Sequence, residues 1–283
     1  MARRRKKIAI IYDFDGTLSP GNMQEYDFFP KLNVKPKDFW AAVKKRAKDN
    51  NADEILSYMT LMLERATSES GVCIKKESFK TYGKGVSLFC GVDTWFSRIN
   101  KYAKKMNLNP QHFILSSGIK EMVEGTTIAE NFEEIFASSF IYDQHDIAIS
   151  PGVAINYTTK TQFLFRINKG VLNVWDNAKI NEFVEKKERD IPFEHMIYIG
   201  DGLTDVPCMK LVKELGGHSI AVYAPRKRNA KEKAMKLMMN ERVSLVAPAD
   251  YSEGKLLEQQ IKAIIEKIHA DLELERFQEE SMK

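Results

Sequence analysis

Cysteine is scarce in this chain. Cys73, Cys90 and Cys208 are the only three in 283 residues, odd in number and far apart. That spacing excludes a disulfide framework and a cysteine-based zinc site, and it fits a reducing compartment such as the cytoplasm. Long apolar runs are missing as well. No uninterrupted stretch approaches the roughly 20 residues of a bilayer-spanning helix, so no membrane partner is expected. The basic start, Met1-Ala2-Arg3-Arg4-Arg5-Lys6-Lys7, is charged like the leading part of a secretory signal. The apolar stretch behind it is short and broken by Asp13 and Asp15, so secretion is not expected. A strong charge of one sign is also absent. The net charge of +4 and pI of about 8.7 are a mild bias, compatible with small anionic substrates. The Arg/Lys cluster reads as a solvated tail, and nucleic acid is not an expected partner. There is no internal repeat or low-complexity segment, and no feature specifies an oligomeric state.

What is present is globular composition, 43% hydrophobic and 29% charged, in a length that suits one large domain or one domain with an insertion. Ile8-Ala9-Ile10 reads as a buried parallel strand and runs into Ile11-Tyr12-Asp13-Phe14-Asp15-Gly16-Thr17-Leu18. Residues i and i+2 of a strand point to one side, so Asp13 and Asp15 can converge at its C-terminal end. Open α/β sheets bind ligands at that edge. Two acids held together are costly unless a cation or a shared proton relieves them, which suggests a Mg²⁺ site with one acid free to attack phosphorus. The plain alternative is a strand ending in an Asp-Gly turn.

Residues from about Pro20 to Gly91 lack strand-like runs. Phe39, Trp40, Val43 and Ala47 share one helical face over 37–50; Ile55, Leu56, Met59, Met62 and Leu63 share another over 53–66. Both stripes read as packing surface. Alternation resumes near Asp93 with a helix carrying Trp95, Phe96, Ile99, Tyr102 and Met106 inward. It leads through Asn109-Pro110 to a strand at 112–115. Further strands are expected at 135–142, 196–199, 219–223 and 243–246, a short β-excursion within 141–156, and a charged helix from Glu253 to about Phe277 with a fraying end. Strands alternating with helices predict a doubly wound parallel sheet.

Three more signals follow in order. Leu115-Ser116-Ser117-Gly118 ends a strand in hydroxyls; Ser116 can donate to a phosphate oxygen, or either serine can simply cap the next helix. Lys160 follows Thr158-Thr159 at the start of a helix over 161–167, against the helix dipole, which hints at an anionic partner. Lys169 and Lys179 compete for that role. Finally Gly200-Asp201-Gly202-Leu203-Thr204-Asp205 follows a compact strand, and Asp205 also suits the N-cap of a helix beginning near Pro207.

DFDGTL at 13–18, LSSG at 115–118, a helix-initiating lysine and GDGLTD at 200–205 together resemble the haloacid dehalogenase-like (HAD) phosphohydrolase superfamily, over roughly 7–19 and 92–250. The resemblance implies a Rossmann-like core (1–20 and 91–283) with a small inserted helical cap (21–90), similar to the phosphoserine-phosphatase-like branch. It implies that Asp13 is the nucleophile forming an aspartyl-phosphate, and that Asp15 serves as acid and then base. Asp13, Asp15 through its main-chain carbonyl, Asp201 and Asp205 would hold or support Mg²⁺. Ser116, Ser117, Thr17 and Lys160 would hold phosphoryl oxygens. The expected activity is hydrolysis of a small phosphorylated metabolite. A phosphotransferase or mutase is the alternative within the superfamily, and a silent regulator the alternative outside catalysis. Two departures stand out. Phosphoserine phosphatases have an acid nine positions after the nucleophile; here Asn22 stands there, with Glu25 out of register. The interval from Lys160 to Asp201 spans 41 residues, which implies an insertion near 173–190. Glu25 and Tyr26 are the cap residues expected to line the site.

Overall fold

Ile8, Ala9, Ile10, Ile11 and Tyr12 have no exposed surface, because β1 (Lys6–Tyr12) is the middle strand of a seven-stranded sheet and is covered on both faces. The computed structural model describes residues 5–68 and 71–282. Met1 to Arg4 lie outside the described residues; of the basic cluster expected to be a tail, Lys6 and Lys7 instead open β1, and Lys7 pairs with Asp190. Four helices follow β1: α1 (Phe28–Lys31), α2 (Pro36–Asn50), α3 (Glu54–Ser68) and α4 (Lys76–Gly83). The chain then alternates through α5 (Val92–Lys105), β2 (Leu108–Ile119), α6 (Lys120–Glu124), β3 (Glu134–Tyr142), β4 (Ala148–Val153), α7 (Thr159–Lys169) and α8 (Asn177–Asn181). It closes with β5 (Met196–Gly200), α9 (Val206–Glu214), β6 (His218–Tyr223), α10 (Ala230–Met239), β7 (Leu245–Pro248) and α11 (Leu256–Ser281).

The strand order is β4-β3-β2-β1-β5-β6-β7. From β1 the chain winds outward on one side to β4, then returns and winds outward on the other through β5. The reversal falls at β1, and such a reversal opens a crevice beyond the strand ends. Side-chain alternation assigns the two layers. Ile8, Ile10 and Tyr12 pack with Trp95, Phe96 and Ile99 of α5 and Ile261 and Ile265 of α11. Ala9 and Ile11 pack with Phe163 and Ile167 of α7 and Met209 and Val212 of α9 on the opposite face. The insert between β1 and α5 joins the first cluster through Phe28, Phe39, Val43, Met59 and Phe79. No described helix is long and apolar enough to cross a membrane.

The doubly wound parallel sheet expected from the sequence is present, and β4, the expected excursion, pairs antiparallel with β3 at its edge, a hairpin being the short way to reverse the chain. Several details differ from expectation. β2 starts before Pro110 and runs on through Ser116-Ser117-Gly118, with irregular register between Leu115 and Ile119. Its ragged end is tied by side chains, since Ser117 O accepts from Tyr58 Oη (2.6 Å) and Ser138 Oγ (3.2 Å). Neither serine caps a helix, because α6 begins only at Lys120. The seventh strand lies two residues later than expected, and α11 stays helical to Ser281. Leu56 is 44% exposed, on the outer side of the α3 stripe.

Candidate active site

The chain leaves β1 at Tyr12, and Asp13 N donates to Ile199 O of β5 (2.9 Å), so the first acid is fixed by its own backbone. A tight turn follows, in which Phe14 O accepts from Leu18 N (2.9 Å) and Ser19 N (3.1 Å). Gly16 takes φ +83°, a conformation that strains any residue with a Cβ. A Cβ there would also overlap the carboxylate of Asp201, which arrives from the end of β5. The glycine of the DFDGT run therefore serves both the turn and the close approach of a second acid. Oxygens of Asp13, Asp201 and Asp205 lie within 4.8 Å of one another. Asp15 faces the same cavity but leans away from this cluster, its Oδ1 accepting from Met23 N (2.9 Å).

Lys160 enters from the first turn of α7 and is completely buried. Its Nζ donates to Asp13 Oδ1 (2.9 Å) and Asp205 Oδ1 (2.6 Å). Lys169 is elsewhere, donating to the carbonyls of Ile180 (2.7 Å) and Glu182 (2.6 Å) and so pinning the 173–190 insertion. Lys179 is exposed. Asp205 stands at the N-cap position of α9 without capping it by its side chain. Its oxygens instead accept from Lys160, from Tyr198 Oη (2.8 Å) and from Gly202 N (3.1 Å).

Burial pushes the Asp13 carboxyl up to about 7, with Asp205 adding and Lys160 opposing. Asp15 and Asp201 are held well above the usual carboxylate range, first by burial and then by the charge of Asp13. Burial alone would lower Lys160; Asp13 and Asp205 outweigh it and hold the ammonium charged. One buried cation thus faces more acids than it can neutralise. That surplus of oxygen donors is the chemistry that a hard divalent cation relieves.

The acids open into a cavity of about 370 Å³, within the range of small-ligand sites, roughly 300–1,000 Å³. Ser116 and Ser117 lie on its wall. Ser116 Oγ accepts from Gly118 N (3.0 Å), which leaves its hydroxyl hydrogen to donate. Ser117 Oγ is buried without a protein partner. Thr17 is not on the wall: its side chain is buried inside the turn, and its carbonyl accepts from Tyr251 Oη (2.9 Å). Glu25 and Tyr26 are not on it either. Glu25 accepts from Asn22 Nδ2 (2.6 Å) and Trp40 Nε1 (2.7 Å), and Tyr26 Oη accepts from Ser19 Oγ (3.2 Å). The wall from the insert is made instead by Asn22, Gln24, Trp40, Glu54, Ile55 and Tyr58. Trp40 and Ile55 read as core in the sequence. The overlooked signal was Glu54 and Tyr58, four apart beside the apolar stripe of α3 and so on one face of the helix.

Residues 10–210 match the family model described as haloacid dehalogenase-like hydrolase. An uncharacterized protein of Borreliella burgdorferi is 30% identical, the alignment covering 91% of this chain and 96% of the relative. Among solved structures, a phosphoserine phosphatase described as a phospho-aspartyl intermediate analogue superimposes with TM-score 0.52 at 17% identity, over 92% of this chain and 99% of its own. A HAD family hydrolase of Salmonella enterica serovar Typhi gives 0.53 at 18% identity; the match covers 81% of this chain and 66% of the Salmonella protein. At such identities the two structures speak for the fold. The matched segment runs from β1 through Lys160 to the Asp201–Asp205 turn, so it contains all four acids and the buried lysine, and the chain belongs to the haloacid dehalogenase-like hydrolase family.

Proposed function

We propose that the chain is a phosphatase: a Mg²⁺-dependent phosphomonoester hydrolase that passes the phosphoryl group through Asp13. The observation that carries this reading is the buried ammonium of Lys160 bonded to Asp13 at the closed end of the cavity. A carboxylate so placed has its position fixed and its negative surroundings partly offset, as attack on an anionic phosphate requires. The described phosphoserine phosphatase, an analogue of a phospho-aspartyl intermediate, supports it by analogy of fold.

In this reading an Asp13 oxygen forms a bond to phosphorus as the ester P–O bond breaks, and Asp15 gives its proton to the departing oxygen. Asp15 then takes a proton from a water whose oxygen attacks phosphorus, which frees Asp13 and inorganic phosphate. Ser116 and Ser117 offer hydroxyls to the phosphoryl oxygens, and Lys160 neutralises their charge. Asp13, Asp201 and the main-chain carbonyl of Asp15 would hold Mg²⁺, an all-oxygen set suited to it, and the ion would supply charge neutralisation at the transferring group. Asp205, its oxygens engaged by protein donors, positions Lys160. Residues 21–90 act as a cap that excludes water and selects the leaving group. The substrate is a small phosphorylated metabolite, met in the cytoplasm.

The test is release of inorganic phosphate from a panel of phosphate esters with Mg²⁺ and water as sole acceptor. Asp13→Asn should abolish it while leaving the unfolding transition in place, since the amide is nearly isosteric but cannot attack phosphorus. Near wild-type turnover in that variant would refute the covalent route. Phosphate appearing only on added alcohols would mark a transferase.

A further inference from the structure

We propose that the leaving group of the substrate is a cation, so that the substrate class is the phosphate monoester of an amino alcohol of the ethanolamine or choline type. This rests on the phosphatase reading above and adds to it the chemistry of the cavity's outer half.

That half, beside the apolar Ile55 and Leu203, carries several groups that attract positive charge. Trp40 and Tyr58 meet there with ring centroids 5.7 Å apart and planes at 68°, forming a corner. Both rings are held in place, Trp40 by donating Nε1 to Glu25 (2.7 Å) and Tyr58 by donating its hydroxyl to Ser117 O (2.6 Å). Tyr157, 46% exposed, adds a third aromatic face from the loop between β4 and α7. Aromatic faces attract ammonium groups, and an enclosure of several is the usual way of binding quaternary ones. Glu54, one helical turn before Tyr58, brings a carboxylate to the same wall, with no ion-pair partner among the described residues. Gln24 is 2% exposed, yet its Oε1 has no hydrogen-bond partner, an acceptor on the wall without a donor.

The complement is equally informative. No lysine or arginine is among the described residues of the wall. Lys160 lies behind Asp13, engaged with two carboxylates. A leaving group bearing a carboxylate would meet Glu54 and the acid cluster with no cation on the wall to pair with. An ammonium meets the Glu54 carboxylate and the Trp40 and Tyr157 rings, with the nearly buried Tyr58 and Gln24 in the same wall.

The experiment compares kcat/KM for phosphocholine and phosphoethanolamine with their uncharged isosteres, 3,3-dimethylbutyl phosphate and n-propyl phosphate, alongside O-phosphoserine and an aryl phosphate. At least one cationic ester should exceed its isostere by about tenfold or more, the scale of a desolvated cation–π contact. Glu54→Gln and Tyr157→Leu should each lower that ratio several-fold, and Tyr157 lies in an exposed loop where the substitution leaves the core intact. Calorimetric binding of phosphocholine to Asp13→Asn should show the same preference without turnover. Aryl phosphate turnover with the isosteres or O-phosphoserine preferred would overturn this proposal and leave the phosphatase reading standing. No turnover of any ester with Mg²⁺ would remove that reading, and this one with it.

Discussion

Removing the Lys160 ammonium tests the buried bridge most directly. Lys160→Met keeps the stem that packs in the core but deletes both charge-assisted bonds, to Asp13 and to Asp205. Two carboxylates are then left buried without their cation, a loss of about 3–5 kcal/mol for a pair broken on one side. In a chain of this size that lowers the melting temperature by roughly 10 °C. Asp205→Asn perturbs the other end. The amide oxygen can still accept from Lys160 and Tyr198, but its NH₂ then faces Gly202 N–H, donor against donor, and a stranded buried N–H costs about 1–3 kcal/mol. In the double variant the stranded acid at 205 no longer exists, so the two costs should not add. The expected coupling is about 2 kcal/mol, toward the upper end of the range for contacting residues. Urea unfolding reads it through the fluorescence of Trp95, which is fully buried beside Tyr251. Additivity within about 0.5 kcal/mol would mean that the two groups are not energetically joined, and the bridge would lose its place in the argument.

Two further outcomes follow from the geometry. Gly16→Ala must hold a Cβ at φ +83° and displace the Asp201 carboxylate, so stability should fall by about 1–2 kcal/mol and, on the proposed function, Mg²⁺ affinity by calorimetry should weaken; unchanged Mg²⁺ binding would sever Gly16 from the proposed metal site. His112 is buried between Tyr12 Oη (3.0 Å) and Asn100 Oδ1 (2.9 Å), and burial lowers it from 6.5 to about 3. Below pH 6.5 the unfolded chain takes a proton that the folded chain refuses, so stability should be full above that pH and decline toward pH 3 by up to roughly 1.4 kcal/mol per unit. Urea midpoints between pH 7 and 5 should fall less steeply in His112→Asn, and equal slopes would show that another group governs the decline.

The sequence by itself determined whatever depends on neighbours along the chain. β1 was legible because a strand buried on both faces needs continuous apolar residues, and the acids at 13, 15, 201 and 205 were legible because each follows such a strand at a turn. The helices at 36–50 and 54–68 showed through 3.6-residue periodicity. Only the tertiary structure decided matters of long-range approach. The sequence favoured Lys160, at a helix start against the dipole, but left Lys169 as a competitor; what separates them is that α7 delivers the first to Asp13, 147 positions away, while the second reaches the 173–190 insertion. Thr17 has the chemistry to bind phosphate, but the tight turn folds it away from the cavity. Trp40 was indistinguishable from its core neighbours until α2 and α3 crossed the mouth of the site, because periodicity reports which face of a helix is covered and carries no record of whether protein or ligand covers it.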